Sequence, residues 1–298
     1  GDVYKRQKSG FVNIIGNPNV GKSTLMNALV GEKLSIITSK AQTTRHRIMG
    51  IVSGEDFQIV YSDTPGILKP SYKLQESMMK FVTGAVTDAD VILYVTDTVE
   101  QGDRSAEIIG RIRESGIPTV VVINKIDLST PEALDALVDK WRQELPEAQI
   151  VPASAKENFN IEGLFKTILA LLPEGRAFYP KETLTDKTLR FFASEIIREK
   201  ILKFYDKEIP YCCEIEIESY KEEPAIDRIA ATIYVARDSQ KGILIGHKGE
   251  KLKRVGQAAR EDMEQFLGKK VFLQLFVKVN DDWRNNERQL RRFGYELE

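Results

Sequence analysis

The chain has 298 residues, with 43 lysines and arginines against 44 aspartates and glutamates. This length predicts two domains of ordinary size, each with an apolar core. The charge balance excludes a uniformly basic protein, so a nucleic-acid surface would have to be local. No apolar run approaches the ~20 residues that span a bilayer. The two cysteines, Cys212 and Cys213, are adjacent on a predicted strand, where neighbours point to opposite faces and are poor disulfide partners.

Cysteine and histidine usage leaves no spacing typical of a zinc site, and it favours a reducing, cytosolic compartment. Residues 1–8 (G-D-V-Y-K-R-Q-K) have no place in the strand predicted to follow them. We interpret most of this segment as a sequence-assembly remnant, and we exclude it from the predicted fold.

A phosphate-binding loop is predicted at Gly16–Ser23 (G-N-P-N-V-G-K-S), which fits G-x-x-x-x-G-K-[ST]. It follows an apolar strand, Phe11–Ile15, and precedes a predicted helix, Ser23–Val30, whose N-terminal dipole favours phosphate. Lys22 would reach the β- and γ-phosphates, and the Ser23 hydroxyl would ligate Mg²⁺. The alternative is an ordinary glycine-rich turn. The nucleotide contacts predicted here are Gly16, Asn17, Pro18, Asn19, Val20, Gly21, Lys22, Ser23 and Thr24.

Short apolar strands alternate with amphipathic helices up to about residue 172, which predicts a mostly parallel sheet covered on both faces. We place an α/β domain that carries the phosphate loop at residues 9–173. In such sheets the ligand lies at the carboxyl ends of the strands. The predicted strands are Phe11–Ile15, Ile48–Ser53, Gln58–Ser62, Val91–Thr96, Thr119–Ile123 and Ile150–Val151.

Two further motifs could hold the metal ion: one follows a predicted strand, and the other lies between the first helix and the second strand. Asp63-Thr64-Pro65-Gly66 offers a carboxylate that can hold Mg²⁺ through a water, and an amide at Gly66 that can meet a γ-phosphate. In the loop 41–47 a threonine can complete the Mg²⁺ shell, and we favour Thr44 over Thr43. An ordinary polar turn is the alternative for both segments. Lys22, Thr44 and Gly66 are therefore the predicted catalytic groups.

The motif Asn124-Lys125-Ile126-Asp127 predicts the base. The Asp127 carboxylate can accept hydrogen bonds from both N1–H and the 2-amino group of guanine, whereas adenine offers neither donor there. Asn124 would brace the loop, and Lys125 would cover the ring face. Ser154-Ala155-Lys156 follows the last strand and would offer the Ala155 amide to the guanine O6.

These motifs match those of translation-factor-like GTPases in order and spacing, with one departure. Ile67 stands where Ras-like relatives carry the glutamine that orients water, so we expect slow intrinsic hydrolysis. Asn19 suggests a substitute, because some GTPases with this loop pattern use an asparagine there to help hold K⁺. We therefore consider a potassium site at Asn19.

The second half predicts an RNA-binding domain at residues 187–298, after a polar linker at 174–186. The order is helix, strand, strand, helix-turn-helix, strand and a basic terminal helix. The turn carries Gly246-His247-Lys248-Gly249, and G-x-x-G in this context is the layout of a type II KH domain. A plain glycine turn is the alternative. The predicted RNA contacts are Lys241, Gly246, His247, Lys248, Gly249, Lys251, Lys253 and Arg254.

From about Gly10 to Tyr295 the chain resembles the bacterial Era GTPases. The resemblance is carried by the motifs G-N-P-N-V-G-K-S-T, K-A-Q-T-T-R-H-R-I, D-T-P-G, N-K-I-D, S-A-K, A-S-E-I-I-R-E-K, I-G-H-K-G and V-K-V-N-D-D-W-R. It implies a target in single-stranded RNA near the 3′ end of small-subunit ribosomal RNA, and a role in maturing that subunit. It also implies a monomeric cytoplasmic protein with occasional peripheral membrane contact.

Two alternatives remain at this stage. A metabolic phosphotransferase with a phosphate loop would explain Lys22 but not Asp127. A non-catalytic RNA scaffold that uses GTP as a structural ligand would be compatible with Ile67. The single phosphate loop excludes the assembly factors that contain two GTPase domains.

Overall fold

The computed structural model describes residues 7–100 and 105–296, which form two compact units. The first unit contains the chain up to Pro70 and Met78–Asp186, and the second contains Ser71–Ser77 together with the chain from Lys187 onwards. Within the described ranges, no helix is long and apolar enough to cross a membrane.

The first unit is a sheet with helices between its strands. The strand order is β2-β3-β1-β4-β5-β6, and all these neighbours are parallel except β2 and β3. A short seventh strand pairs with β1 in the antiparallel direction. The elements are β1 Gln7–Gly16, α1 Lys22–Val30, β2 Ile48–Ser53, β3 Phe57–Asp63, α2 Lys73–Thr87, β4 Val91–Asp97, α3 Ala106–Ser115, β5 Thr119–Asn124, α4 Pro131–Glu144, β6 Gln149–Pro152, α5 Ile161–Leu171 and β7 Glu174–Gly175. The start of α2, up to Ser77, is assigned to the second unit.

Two neighbouring strands inside the sheet, β4 and β5, are buried along their whole length, as a sheet covered on both faces requires. Every residue of β4 and β5 is buried, and both strands are rich in valine and isoleucine. The carboxyl ends of β1, β3, β4 and β5 therefore meet at one edge, where the phosphate loop, Asp63 and Asn124 follow. The predicted mostly parallel α/β sheet is confirmed.

The structure corrects the prediction for the N-terminal segment. Gln7 and Lys8 belong to β1 and pair with Gly175 and Glu174 of β7, so the prediction that they lie outside the strand is wrong. The Lys8 ammonium also donates to the Leu172 carbonyl at 2.9 Å. A two-residue strand has no sequence pattern, which is why this pairing was missed. Residues 1–6 of the same prediction lie outside the described residues.

The segment 174–186, which we predicted as a linker, lies in the first unit. The Ile51 amide donates to the Leu184 carbonyl at 2.7 Å, and the Met49 amide donates to the Asp186 carboxylate at 3.1 Å. Both amides belong to β2, the edge strand of the sheet. The segment therefore covers backbone groups that an edge strand otherwise exposes.

The second unit packs two long helices, α6 and α9, on a three-stranded sheet of order β10-β9-β8. Strands β8 and β9 are antiparallel, and β9 and β10 are parallel. This is the predicted order of helices and strands. The elements are α6 Leu189–Phe204, α7 Ile209–Cys212, β8 Glu214–Glu222, β9 Ile226–Val235, α8 Asp238–Ile245, α9 Glu250–Leu267, β10 Lys270–Val279 and α10 Glu287–Arg292.

The two cysteines differ from the prediction in their backbone. Cys212 ends the short helix α7 and Cys213 precedes β8, so they do not share a strand. Pro210 is the second residue of α7, and its fixed φ favours the first turn of a helix over a strand. The sulfur atoms are 4.0 Å apart, about twice the length of an S–S bond. The Cys212 carbonyl accepts a hydrogen bond from the fully buried Trp283 indole, which confirms Trp283 as a core residue.

Candidate nucleotide site and nucleic-acid interface

The phosphate loop connects β1 to α1 and requires glycine at both of its ends. Gly21 has φ +94°, in the left-handed region, and a Cβ there would lie 2.2 Å from the Asn124 amide nitrogen. A Cβ on Gly16 would lie 2.3 Å from the Val95 carbonyl. Protein contacts as well as phosphate therefore select glycine at both positions.

Lys22 is buried at the start of α1, and its ammonium donates to the Asn17 carbonyl at 2.7 Å. Burial lowers the pKa of Lys22 to about 8, although the nearby Asp63 and Glu100 carboxylates oppose this shift. The ammonium is therefore held inside the loop by a carbonyl that a bound phosphate would replace as its partner.

We expect nucleotide binding to become coupled to proton uptake above about pH 8. Below this pH the Lys22 ammonium is already charged; above it, phosphate binding must restore the proton, so affinity falls by up to about tenfold per pH unit. Calorimetry in buffers of different ionisation enthalpy measures the uptake. The Lys22→Ala protein is the control, because proton release from the nucleotide itself remains in it. Equal uptake in both proteins at about pH 8.5 would contradict the expectation.

Three predicted metal-binding side chains meet beside the loop. The Ser23 hydroxyl donates to Asp63 Oδ2 at 2.7 Å and lies 3.1 Å from the Thr44 hydroxyl. Asp63 is fully buried, and desolvation raises the pKa of its carboxyl, against the opposing effects of Lys22 and the Ser23 hydrogen bond. Its other oxygen, Oδ1, accepts no hydrogen bond from the described residues. A buried carboxylate oxygen without a donor is suited to a cation or its water.

The structure separates the two candidate threonines of the loop 41–47. Thr44 is 9% exposed and faces Ser23. The Thr43 hydroxyl instead donates to the Lys40 carbonyl at 2.6 Å and lies 2.6 Å from the Thr38 hydroxyl, so it holds its own loop. This geometry supports Thr44 as the metal-facing residue.

The predicted base-binding side chains also come together, and Asn124 links them to the phosphate loop. Its amide nitrogen donates to the Val20 carbonyl at 2.8 Å, and its oxygen accepts the Ala155 amide at 3.0 Å. The Ser154 hydroxyl donates to Asp127 Oδ1 at 2.8 Å. Asn124 thus braces the loop as predicted from the motif, whereas the use of the Ala155 amide for a guanine oxygen stays a prediction. Lys156 is exposed next to it.

Lys125 has φ +61° and spans the gap between two loops. Its ammonium donates to the Asn19 carbonyl and forms an ion pair with Asp97 at 2.8 Å. Asp97 is buried, and its other oxygen accepts the amides of Val99 and Glu100. The ion pair with Asp97 therefore fixes the Lys125 ammonium, and the sequence motifs did not reveal this contact.

Glu100 is a second residue that sequence patterns missed. Its carboxylate accepts a hydrogen bond from the Asn17 side chain at 3.0 Å and another from Thr96 at 2.7 Å. The available indication was its position shortly after β4, at the carboxyl edge of the sheet. It fixes the second residue of the phosphate loop.

The D-T-P-G segment packs tightly against the loop. A Cβ on Gly66 would lie 2.8 Å from Pro18, and the Thr64 hydroxyl donates to the Ile14 carbonyl at 2.7 Å. Ile67 is buried in the apolar core, and its amide donates to the Gly16 carbonyl. Its side chain therefore does not face the site, which is consistent with slow intrinsic hydrolysis.

A cavity of about 320 Å³, within the size range of small-molecule sites, lies beside the phosphate loop. The base-binding side chains Asn124, Asp127 and Ser154 do not line it. The residues that line the cavity belong to the phosphate loop, the loop 36–44, Gly66 and Lys125. Pro65 is buried next to Gly66. The predicted nucleotide residues that line the cavity are Pro18, Asn19, Gly21, Lys22, Ser23, Thr24, Thr44, Gly66 and Lys125.

In the second unit the G-x-x-G turn lies between α8 and α9. Gly246 and Gly249 have φ +77° and +73°, and Lys248 has φ +52°. His247 and Lys248 are exposed at the tip of the turn. A turn with left-handed backbone at these positions presents its amides and leaves no Cβ on either glycine, so that a phosphodiester can approach.

A groove of about 510 Å³ follows the turn, between α9 and β10. Lys253 lines it, whereas the Lys251 and Arg254 cations lie over the aromatic rings of Tyr205 and Phe204. Lys241 lies on α8, outside the groove lining. Sequence patterns missed most of the lining, because α9 and β10 meet only in the folded unit. The residues missed are Leu252, Gly256, Gln257, Arg260, Leu273 and Leu275.

Comparison with known proteins follows this division of the chain. A family model described as 50S ribosome-binding GTPase matches residues 11–125, and a KH domain model matches residues 208–284. The GTPase Era of Alkaliphilus metalliredigens is 46% identical over 294 residues, covering 97% of this chain and 99% of that protein. The GTPase Era of Staphylococcus haemolyticus is 44% identical over 290 residues, covering 97% of each.

Two solved structures superpose on the chain with a TM-score of 0.93 at 42% identity, each covering 98% of this chain and 100% of the other. One is a variant of Aquifex aeolicus Era bound to GDP and AlF4⁻. The other is Era in complex with MgGDPNP and nucleotides 1506–1542 of 16S ribosomal RNA.

The fold and both sites define a GTPase that carries a type II KH domain for RNA. It binds GTP and GDP, hydrolyses GTP and binds RNA. With identity above 40% over nearly the full length, the chain belongs to the GTPase Era family. The predicted resemblance, fold class and enzyme class are thereby confirmed, and the phosphotransferase and non-catalytic scaffold alternatives are not retained.

Proposed function

We propose that this GTPase is a nucleotide-controlled switch that binds small-subunit ribosomal RNA near its 3′ end and assists maturation of the small ribosomal subunit. The observation that carries the switch is the contact between Thr44 and Ser23, which joins the loop 41–47 to the phosphate loop. A loop fixed through a metal and a γ-phosphate is released when that phosphate leaves. The RNA target is supported by the related Era that binds 16S ribosomal RNA nucleotides 1506–1542.

Magnesium fits the cluster of Ser23, Thr44 and Asp63, because hydroxyl and carboxylate oxygens are its preferred ligands and Asp63 Oδ1 accepts no hydrogen bond from described residues. Ser23 and Thr44 would bind the ion directly, and Asp63 through a water. When bound, Mg²⁺ neutralises charge on the phosphates. The related Era with MgGDPNP supports this assignment.

The chain's own groups perform the remaining roles. Lys22 stabilises charge on the β- and γ-phosphates, and the Gly66 amide donates to the γ-phosphate. Asp127, held by Ser154, reads the guanine edge. Ile67 leaves the attacking water without a side-chain partner, so the activating group must come from elsewhere.

We expect GTP turnover to be faster in KCl than in NaCl, because K⁺ at Asn19 would supply part of the missing charge stabilisation. Asn19 is exposed, with φ +64°, at the mouth of the cavity. The Asn19→Ala protein should lose the difference between the two salts while retaining GDP affinity. Equal turnover in both salts would remove the potassium hypothesis.

The switch is tested by measuring RNA affinity in three nucleotide states of the full chain. We expect the fragment of nucleotides 1506–1542 to bind roughly 5- to 150-fold more tightly with a GTP analogue than with GDP or without nucleotide, and to raise GTP-analogue affinity by the same factor. RNA with a scrambled 3′ sequence is the control. Equal affinity in all states would exclude the switch but not RNA binding.

The assignment of residues 9–173 to a GTPase domain and of residues 187–298 to an RNA-binding domain remains our proposal. The segment 174–186, predicted as a linker between them, belongs to the first compact unit. A monomeric state, a cytoplasmic location and peripheral membrane contact stay predictions from the resemblance.

A further inference from the structure

Strand β10 is the edge of the second unit's sheet, and its two faces differ. Val271 and Val277 are buried, and Leu273 and Leu275 line the groove beside the G-x-x-G turn. The alternate residues are all exposed. We call them the outer strand face: Lys270, Phe272, Gln274, Phe276 and Lys278.

Two phenylalanines on an exposed face are unusual. Phe272 is 44% exposed and Phe276 is 49% exposed. An edge strand with exposed apolar side chains risks aggregation unless the side chains serve a purpose. The rings do not complete the core, because the core side of the strand is already filled by Val271 and Val277.

On the same sheet face, helix α10 covers part of β8 and β9, at the level of Phe276 and Lys278. Arg292 hydrogen-bonds to Glu216 and to the Tyr234 hydroxyl, and Phe293 packs against the Tyr234 ring. The part of the face that carries Glu216 and Tyr234 is thus occupied by the chain's own C-terminal segment. The open part is the edge that carries the two phenylalanines.

The open part is basic. Lys270 and Lys278 lie at the two ends of the outer strand face, and no acidic residue lies on β10. On the neighbouring strand, Arg228 is paired in register with Phe272 and lies over its ring at 5.6 Å. Arg228 also forms an ion pair with the exposed Glu223, and such exposed pairs are weak and easily exchanged.

The spacing suits an unstacked single strand. Phe272 and Phe276 are four residues apart, or about 13 Å along a strand. This is far more than the roughly 3.4 Å rise between stacked nucleotides, so each ring would take a separate base. Gln274 lies between them and can donate to or accept from a base edge. Aromatic side chains flanked by cations are the usual platform for single-stranded nucleic acid.

We propose that the outer strand face is a second binding surface for single-stranded RNA, on which Phe272 and Phe276 each stack a base while Lys270 and Lys278 contact phosphates. This surface does not include the G-x-x-G turn. The two are connected by β10, because Leu273 and Leu275 of the same strand line the groove beside the turn. The inference rests on the proposed function, since it extends the path of the same RNA. It predicts that the protein holds more nucleotides than the groove alone contacts.

The test compares the Phe272→Ala/Phe276→Ala double variant of the full chain with the unaltered protein. Fluorescence anisotropy measures binding of the labelled fragment of nucleotides 1506–1542. We expect the dissociation constant to rise at least about 25-fold, the product of about fivefold per ring. The matched control is Phe266→Ala on α9, a phenylalanine with 48% exposure that packs against Phe192. It should change affinity less than about twofold.

The salt dependence of RNA affinity distinguishes phosphate contacts by the lysines from base stacking by the phenylalanine rings. The Lys270→Gln/Lys278→Gln variant should reduce the slope of log affinity against log salt by about 1.4, or about 0.7 for each lost phosphate contact. The phenylalanine variant should leave the slope unchanged. The Phe276→Trp protein gives direct evidence of contact, because RNA should quench an exposed tryptophan while Trp141 and Trp283 are buried.

Three outcomes overturn the proposal, and they differ in what else they affect. If the unaltered protein does not bind the fragment, the proposed function fails together with the inference. If it binds and the double variant binds equally well, only the inference fails. If the double variant binds the fragment normally but no longer binds purified small subunits, the outer strand face contacts a part of the subunit outside this fragment, and its assignment to the path of this RNA is wrong.

Discussion

The Asp127→Asn protein should lose GTP affinity by roughly 10³-fold or more and should bind xanthosine triphosphate better than GTP. Guanine presents two donors, N1–H and the 2-amino group, to the carboxylate. An asparagine retains one acceptor and adds a donor that faces the guanine amino group. Xanthine carries a carbonyl oxygen at that position, so it accepts from the new donor.

The structure indicates which way the new side chain would turn. Ser154 donates to Asp127 Oδ1 at 2.8 Å, and this contact requires an acceptor. The asparagine oxygen would keep it, which leaves the amide nitrogen on the side of the base. The exchange of specificity thus follows from an existing hydrogen bond and not only from the loss of charge.

Calorimetric titration with GTP, ATP and xanthosine triphosphate measures this exchange. The control is Asp135→Asn, an exposed aspartate on α4 that should leave all three affinities unchanged. If the unaltered protein holds ATP as tightly as GTP, or if Asp127→Asn behaves like the control, then Asp127 does not select the base.

The nucleotide site was predictable from sequence because its motifs are short and local. Asn124 and Asp127 belong to one four-residue motif, and Lys22 belongs to another, so the spacing within each is fixed by the chain itself. The order of strands then brings the motifs together, since parallel strands end at one edge.

The parts that were missed depend on long-range pairing. The pairing of Lys8 with Glu174 joins residues 166 positions apart and involves a two-residue strand. Asp97 and Glu100 act through other side chains, Lys125 and Asn17, so no motif marks them. The residues that line the groove were missed because α9 and β10 come together only in the folded unit. The hydrophobic periodicity of each element does not specify which other element it packs against.

The choice between Thr43 and Thr44 as the metal-facing residue depends on the folded structure. Both threonines occur in one polar loop, and either could face a metal as far as the sequence indicates. Only the fold directs one hydroxyl to Ser23 and the other to Lys40.

This difference leads to the second large effect. Replacement of Thr44 by valine should slow GTP hydrolysis about 100-fold while leaving GDP affinity within about twofold. Valine keeps the shape of threonine but removes the hydroxyl that lies 3.1 Å from Ser23 Oγ. The proposed magnesium site then loses a ligand that is needed only with the triphosphate, because the loop is released after hydrolysis.

Thr43→Val is the matched control, since it removes a hydroxyl from the neighbouring residue. Its hydroxyl bonds within the loop to Lys40 and Thr38, so hydrolysis should change less than about fivefold. Single-turnover hydrolysis across a magnesium titration separates the two: Thr44→Val should need more Mg²⁺ and still remain slow at saturation. A larger defect in Thr43→Val would reverse the assignment, because it would mean that the loop turns when the triphosphate binds and presents Thr43 to the metal.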